Sequence, residues 1–359
     1  ISALDGAGVN NAEIFHQTNG GLSAADYLGG DGFQLASNGG NDFSDGAVND
    51  IQTMISENIG SGVVSLAISN DVDITIDGSD VLLPNGNQDD FFLMTGGSIN
   101  FLSSYVNQGA GDIVLVAGWD GTGATFSGAN VTFTGANYCD PVIAEANVVN
   151  YDFNNCNNFG NDAAGNGAGT VTIGSAAQTD TTRLGTKNGN LIVNGHGLTL
   201  NAGNTADAAT QLGFLPNGTG TVGSSINIGL KGSGLEMNSG TGDNSFTQIG
   251  HGGIGSTNET INATVTISFC EVGDVTLNAS SGALSYSQIG NGRSNTGGTT
   301  DGDVSIVGFG NITMNSGTGA TAYTQIGTGG NNADGNKNSD VTLTGATTVI
   351  DRGDIIMNA

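Results

Sequence analysis

Five copies of a four-residue phrase, Thr/Ser-Gln/Arg-Ile/Leu-Gly, occupy the second half of this chain, and a second, unlike phrase keeps step with them. The first reads Thr182-Arg183-Leu184-Gly185, Thr210-Gln211-Leu212-Gly213, Thr247-Gln248-Ile249-Gly250, Ser287-Gln288-Ile289-Gly290 and Thr324-Gln325-Ile326-Gly327, with second positions 28, 37, 40 and 37 residues apart. The second is an apolar residue, then Asn, then a small residue: Leu200-Asn201-Ala202, Met237-Asn238-Ser239, Leu277-Asn278-Ala279, Met314-Asn315-Ser316 and Met357-Asn358-Ala359, spaced 37, 40, 37 and 43. Two markers in step specify a stacked array, because one such unit is too small to bury its own apolar face and must rest on its neighbours.

Between the markers apolar residues alternate with period two. Examples are Val64/Leu66/Ile68, Ile74/Ile76, Ile99/Phe101, Ile113/Leu115, Val131/Phe133, Leu191/Val193, Leu198/Leu200, Val265/Ile267 and Val275/Leu277. This spacing predicts short strands with one buried face. Asn-Gly pairs, which favour tight hairpins, occur at Asn85-Gly86, Asn188-Gly189, Asn194-Gly195 and Asn291-Gly292, but they do not separate every pair of strands. The expectation is therefore all-β: a parallel β-helix, or solenoid, with coils of about 18 to 21 residues and two coils per repeat. Some 15 such coils would span roughly 70 Å at ~4.8 Å per strand.

Stacking in register would place Asn201, Asn238, Asn278, Asn315 and Asn358 on one line, as a structural ladder of side-chain amides. Within the four-residue phrase Thr247 and Ile249 share one face of a strand, and Phe246 and Gln248 share the other. Either face can point inward. With Ile inward, Phe246, Gln248, Tyr286, Gln288, Tyr323 and Gln325 form an exposed row, a candidate binding stripe.

The pattern divides the chain into four segments. Residues 1–60 form a Gly-rich N-terminal segment with a helix over Ala47 to Ile59, whose Val48, Ile51, Met54, Ile55 and Ile59 fall on one side. That helix would cap the first rung and hide its unpaired edge. Residues 61–136 carry β-helix rungs, 137–165 a loop insertion with Cys139 and Cys156, and 166–359 repeated rungs of 37–43 residues. Cys139 and Cys156 are a candidate disulfide closing that loop in an oxidising compartment, or two free thiols; an odd total of three cysteines leaves both open. Cys270, after Val265 to Phe269, reads as a small buried hydrophobe.

Six Lys+Arg against 33 Asp+Glu give a net charge of -27, and the first basic residue is Arg183. Such a surface repels nucleic acid and anionic membranes and leaves cations and neutral glycans as partners. No apolar run approaches the roughly 20 residues of a membrane span, so membrane insertion is not expected. The chain opens at Ile1 without a basic leader, and its last unit stops at Ala359, which leads to the expectation of a mature or excised piece of a longer polypeptide.

Catalytic and metal signatures are sparse. His16, His196 and His251 lie far apart and without partners at ligand spacing, so zinc is not expected. His251 occupies the repeat position of Asn291 and Thr328, which predicts a solvated turn. Gly20-Gly21, Gly29-Gly30 and Gly39-Gly40, with Asp26, Asp31, Asp42 and Asp45 among them, echo a calcium-binding roll, yet the full Gly-Gly-x-Gly-x-Asp order fails in each. No cofactor is expected, with calcium the one candidate. Asp71/Asp73 and Asp89/Asp90 offer the carboxylate pairs of a glycoside hydrolase. Alternation with Val72 and Ile74 sets the first pair on a solvated outer row instead. Arg352-Gly353-Asp354 spells an integrin-type tripeptide and also suits a plain turn.

The runs Val63 to Ile76, Gly111 to Gly121 and Ser245 to Gly253 resemble the shafts of large secreted bacterial adhesins of the filamentous haemagglutinin type. The resemblance covers the chain from about Ala47. It implies a right-handed parallel β-helix, export across the outer membrane, and work outside the cell or at the bacterial cell surface. Host or neighbouring-cell glycans or proteins would be the partners. Leu83-Pro84-Asn85-Gly86 and Leu215-Pro216-Asn217-Gly218 lack the leading Asn of that family's Asn-Pro-Asn secretion motif. The expected function is a non-catalytic extracellular shaft of an adhesin or fibre. The alternatives are a filament subunit that binds copies of itself end to end, and a polysaccharide-degrading or glycan-binding β-helix protein.

Overall fold

A computed structural model describes residues 2–5, 12–15, 32–37, 63–68, 73–76, 81–82, 91–118, 124–127, 130–133, 168–216, 220–254, 260–292, 299–330, 337–346 and 354–358. The expected capping helix, the loop with Cys139 and Cys156, and the glycine pairs from Gly20 to Gly40 lie outside the described residues.

The described residues are all β, with no helix, and their pairing is overwhelmingly parallel. Short apolar-alternating runs of Val, Ile and Leu favour extended backbone, and parallel pairing follows because like segments of successive repeats lie side by side. The largest sheet holds the long strands Leu191–Asn201, Ile226–Asn238, Val265–Asn278 and Val304–Asn315. Each bends at a register shift. The first halves align Leu191 with Ile226, Val265, Val304 and Val341; the second halves align Leu198 with Leu235, Val275, Ile312 and Ile355. Strands Val63–Ile68, Phe91–Thr95 and Ile113–Val116 extend the sheet on the N-terminal side. A second sheet is built from the four-residue phrase: Thr182–Thr186, Thr210–Leu212, Thr247–Ile249, Ser287–Ile289 and Thr324–Ile326 stack in order, preceded by Val81–Leu82 and Tyr105–Asn107. A third, of short strands, runs Thr221–Val222, Thr260–Asn262, Thr300–Asp301, Lys337–Asn338.

Pairing runs from one repeat to the next. Asn238 lies against Asn201 at a separation of 37 residues, and Asn278 against Asn238 at 40. Near the N-terminal side the step is shorter, 25 residues between Asp73 and Ser98. A layer is thus one whole repeat, which corrects the expected two coils per repeat. Runs such as Leu191/Val193 and Leu198/Leu200 are two halves of one strand continuing through a bend, so alternation alone counted each strand twice. Among the described residues the longest strand path has eleven members, about 50 Å at ~4.8 Å per strand.

One continuous apolar core from Ile74 to Ile312 lies between the sheets. In one repeat it takes Val265, Ile267, Val275, Leu277 and Ile289, all fully buried. At the C-terminal end Met314, Ile326 and Leu343 are only partly covered. The parallel stack runs unbroken across the interval from Gly118 to Val171: Ile113–Val116 pairs directly with Leu191–Asn194, and Ile99–Phe101 with Val171–Ile173. Ala124–Ser127 and Asn130–Phe133 form a separate antiparallel pair, so Val131 and Phe133, expected as a rung, are not part of the parallel sheets.

Candidate functional site: stacked side-chain ladders

The five marker asparagines stand in line. Nδ2 of each donates to Oδ1 of the one before: Asn238 to Asn201 at 3.0 Å, Asn278 to Asn238 at 2.8 Å, Asn315 to Asn278 at 2.7 Å and Asn358 to Asn315 at 2.6 Å. An amide is the one short side chain with a donor and an acceptor at opposite ends, which is what an unbroken row of like residues requires. The two sequence markers are also tied to each other. Thr210 Oγ1 donates to the Asn201 carbonyl at 2.7 Å, and Ser287 Oγ to that of Asn278 at 2.6 Å, each nine residues apart. That bond across the turn explains why the phrases never drift in phase.

The candidate exposed stripe is corrected. Ile249 and Ile289 do point into the core, but the opposite face is closed rather than open: Phe246, Gln248, Tyr286 and Gln288 are buried, and Tyr323 and Gln325 half-buried. Phe246 and Tyr286 stack with centroids 4.6 Å apart, and Tyr286 and Tyr323 at 4.9 Å, nearly parallel in both pairs. The chain after Ile249-Gly250 crosses this face, with Gly253 beside Gln248, Phe246 and Tyr286 and Ile254 packed on the rings. Glutamine amides clamp it there. Gln211 Nε2 donates to the carbonyls of Gly250 and Gly252 at 2.9 and 2.7 Å, and Gln288 Nε2 to those of Gly327 and Gly329 at 3.2 and 3.0 Å. Tyr286 Oη donates to Gln248 Oε1 at 3.2 Å. Burial, followed by the neighbouring Tyr323, pushes the Tyr286 phenol well above its ordinary value. Arg183 fills the glutamine position at the head of the row, its Nε donating to Gln211 Oε1 at 2.8 Å.

Glycine closes the phrase for a steric reason. A Cβ on Gly250, whose φ is 148°, would stand 2.1 Å from the Gly290 carbonyl oxygen of the next layer. No larger residue fits there.

Carboxylates and amides form further rows at the turns. Asp274 Oδ1 accepts from Asn311 N at 2.7 Å, Asp303 Oδ1 from Asp340 N at 2.8 Å, and Asp243 Oδ1 from Ala283 N at 2.8 Å. Asp112 Oδ1 accepts from both the backbone and side-chain nitrogens of Asn190, which lower its pKa, yet burial outweighs them and raises it. Asp73 is exposed and accepts from Ser98 N at 2.8 Å. Asp71, Asp89, Asp90 and His16 lie outside the described residues, as do Arg352 and Gly353. Asp354 N donates to Asn311 Oδ1 at 3.2 Å.

His251 is wholly buried, not a solvated turn. Its Nδ1 accepts from Phe214 N at 3.0 Å, while Nε2 lies beside the Ser224 backbone without a well-formed bond. Burial lowers its pKa to about 4, against a small opposing effect of Ser224. Cys270 is half-buried and disulfide-bonded, not a free buried thiol. Among the described residues no group of three or more His, Cys, Asp or Glu is placed to hold a metal.

The rows bring together residues that serve pairing between layers; sequence spacing pointed to the asparagines and missed the glutamine clamp and the carboxylate rows. Comparison with protein-family models, with curated proteins and with solved structures finds no match to this chain.

Proposed function

We propose that the chain is a stretch of right-handed parallel β-helix, one repeat per turn, that serves as the shaft of an extracellular adhesin or surface fibre. The observation that supports this is the unbroken amide row from Asn201 to Asn358 beside a continuous core. A stack whose layers are locked by identical bonds resists shear and slip, and stiffness is what a projecting shaft contributes. A net charge of -27 suits a secreted rod that must stay dispersed and avoid anionic surfaces. The sequence resemblance to haemagglutinin-type shafts points the same way, with cell-surface glycans or proteins as partners.

Pulling single molecules from their ends tests the mechanical reading. Successive extensions corresponding to about 37 to 40 residues, or roughly 120 to 140 Å each, are the expected outcome; a single all-at-once release at low force counts against it. A panel of polysaccharides incubated with the chain tests the rival glycan-degrading reading, which requires released product.

A further inference from the structure

The corner where each long strand bends carries residues that neither the core nor the ladders use. Register shifts fall between Gly195 and Gly197, Leu230 and Leu235, and Ser268 and Gly273, and within them Ser233, Glu271 and Val272 are exposed. Three successive repeats thereby bring His196, Ser233 and Glu271 to one place. Ser233 Oγ meets His196 Nδ1, and Ser233 N donates to the same nitrogen at 3.1 Å. Two donors on Nδ1 fix it as the unprotonated nitrogen, so the neutral ring carries its proton on Nε2. On that side, Nε2 and Glu271 Oε2 both border the space above Gly232: a Cβ there would stand 3.5 Å from the first and 3.4 Å from the second. Burial lowers the pKa of His196, Glu271 opposes it, and Lys231 lowers it further, so the ring is neutral and able to accept a proton at neutral pH. Ser233, the exposed Val272, Asp274 and Asn311, with the intervening glycines, line an open cleft of about 370 Å³.

We propose that this corner is an acyl-transfer site for short-chain carboxylic esters, with Ser233 as nucleophile, His196 as general base and Glu271 as the nearby carboxylate whose charge favours the protonated ring. Ser233 Oγ bonds to the ester carbonyl carbon while its proton passes to His196 Nδ1. The tetrahedral adduct collapses, the carbon–alkoxy bond breaks, and the departing oxygen takes the proton from Nδ1 to leave as alcohol. Water then adds to the acyl-Ser233 carbonyl and gives a proton to Nδ1. The acid departs as that proton returns to Ser233 Oγ. The negative charge of Glu271, which favours the protonated ring, stabilises the imidazolium formed in both halves. The shallow cleft, with one valine wall, suits an acyl group of few carbons.

The test uses the full 359-residue chain, p-nitrophenyl acetate as substrate and a fluorophosphonate as covalent probe. The expected result is phosphonylation mapped to Ser233 and hydrolysis at least tenfold faster than by Ser233→Ala, whose melting curve should be unchanged because Ser233 is exposed. Glu271→Gln should lower kcat about tenfold and move the acid limb of the rate profile to lower pH, with Glu271→Asp restoring the wild-type limb. Equal hydrolysis by wild type and Ser233→Ala, or a probe that leaves Ser233 unlabelled, overturns the proposal.

Discussion

Asn278 uses both ends of its side chain: Nδ2 donates to Asn238 Oδ1 and Oδ1 accepts from Asn315 Nδ2. Replacing it tests the row at its centre. Asn278→Ala should cost about 2 kcal/mol, two bonds at ~1 kcal/mol each. Asn278→Asp should cost more at neutral pH, because it sets a carboxylate oxygen against Asn238 Oδ1, and it should recover on acidification as the protonated acid donates again. Chemical denaturation of the variants at two pH values checks both. A second position carries strain. Leu284 has a φ of 56°, at the turn position that Asp207 and Asn244 occupy in earlier repeats with φ of 63° and 59°. Leucine is poorly suited to this region and asparagine tolerates it, so Leu284→Asn should stabilise the chain by about 1 kcal/mol, read as a raised Tm. His251 supplies a pH dependence of known sign. Its folded pKa, about 4, lies below its ordinary 6.5, so the unfolded chain binds the proton first as pH falls. The stability that depends on a neutral ring is full above about pH 6.5 and drains away toward pH 4, by on the order of 3 kcal/mol. His251→Asn copies the residue at Asn291 in the next repeat and should remove that slope relative to wild type in urea titrations across this range.

At the scale of the element, the second sheet shows why exposure could not be read from alternation. Thr247 and Ile249 share a face as their spacing predicts, and that face is the core side, but period two says only that the two faces differ. Whether the far face meets water depends on where the chain goes next, and the Gly250 to Ile254 segment returns across it. The clue present in the sequence was the glutamine repeated beside an aromatic: a bulky polar residue recurring at a fixed site has carbonyls to bind. Gln288→Ala should release the carbonyls of Gly327 and Gly329 and the Tyr323 hydroxyl, leaving buried acceptors unpaired at a cost of about 2 kcal/mol. Hydrogen exchange should then quicken at the amides of Gly327 and Gly329. The asparagine row was legible because its chemistry is symmetric about each residue. The corner joining His196, Ser233 and Glu271 was not, since its members share neither residue type nor motif and meet only through register shifts.

For the whole molecule, an excess of 27 negative charges works against compaction while individual carboxylates, such as Asp274 and Asp303, hold the next layer by its backbone nitrogens. Raising salt from about 0.01 to 0.15 M should therefore raise the Tm, since screening weakens long-range repulsion more than close contacts. Pairing at one repeat per layer carries a different consequence, for heredity. Excision of Ser239 through Asn278 would leave Asn238 joined to Ala279 with every remaining strand facing an equivalent partner, whereas loss of half that length would leave none in register. A gene encoding such a chain can gain or shed whole storeys by unequal crossing-over, so the natural height of the stack is free to vary between siblings without a new fold being invented.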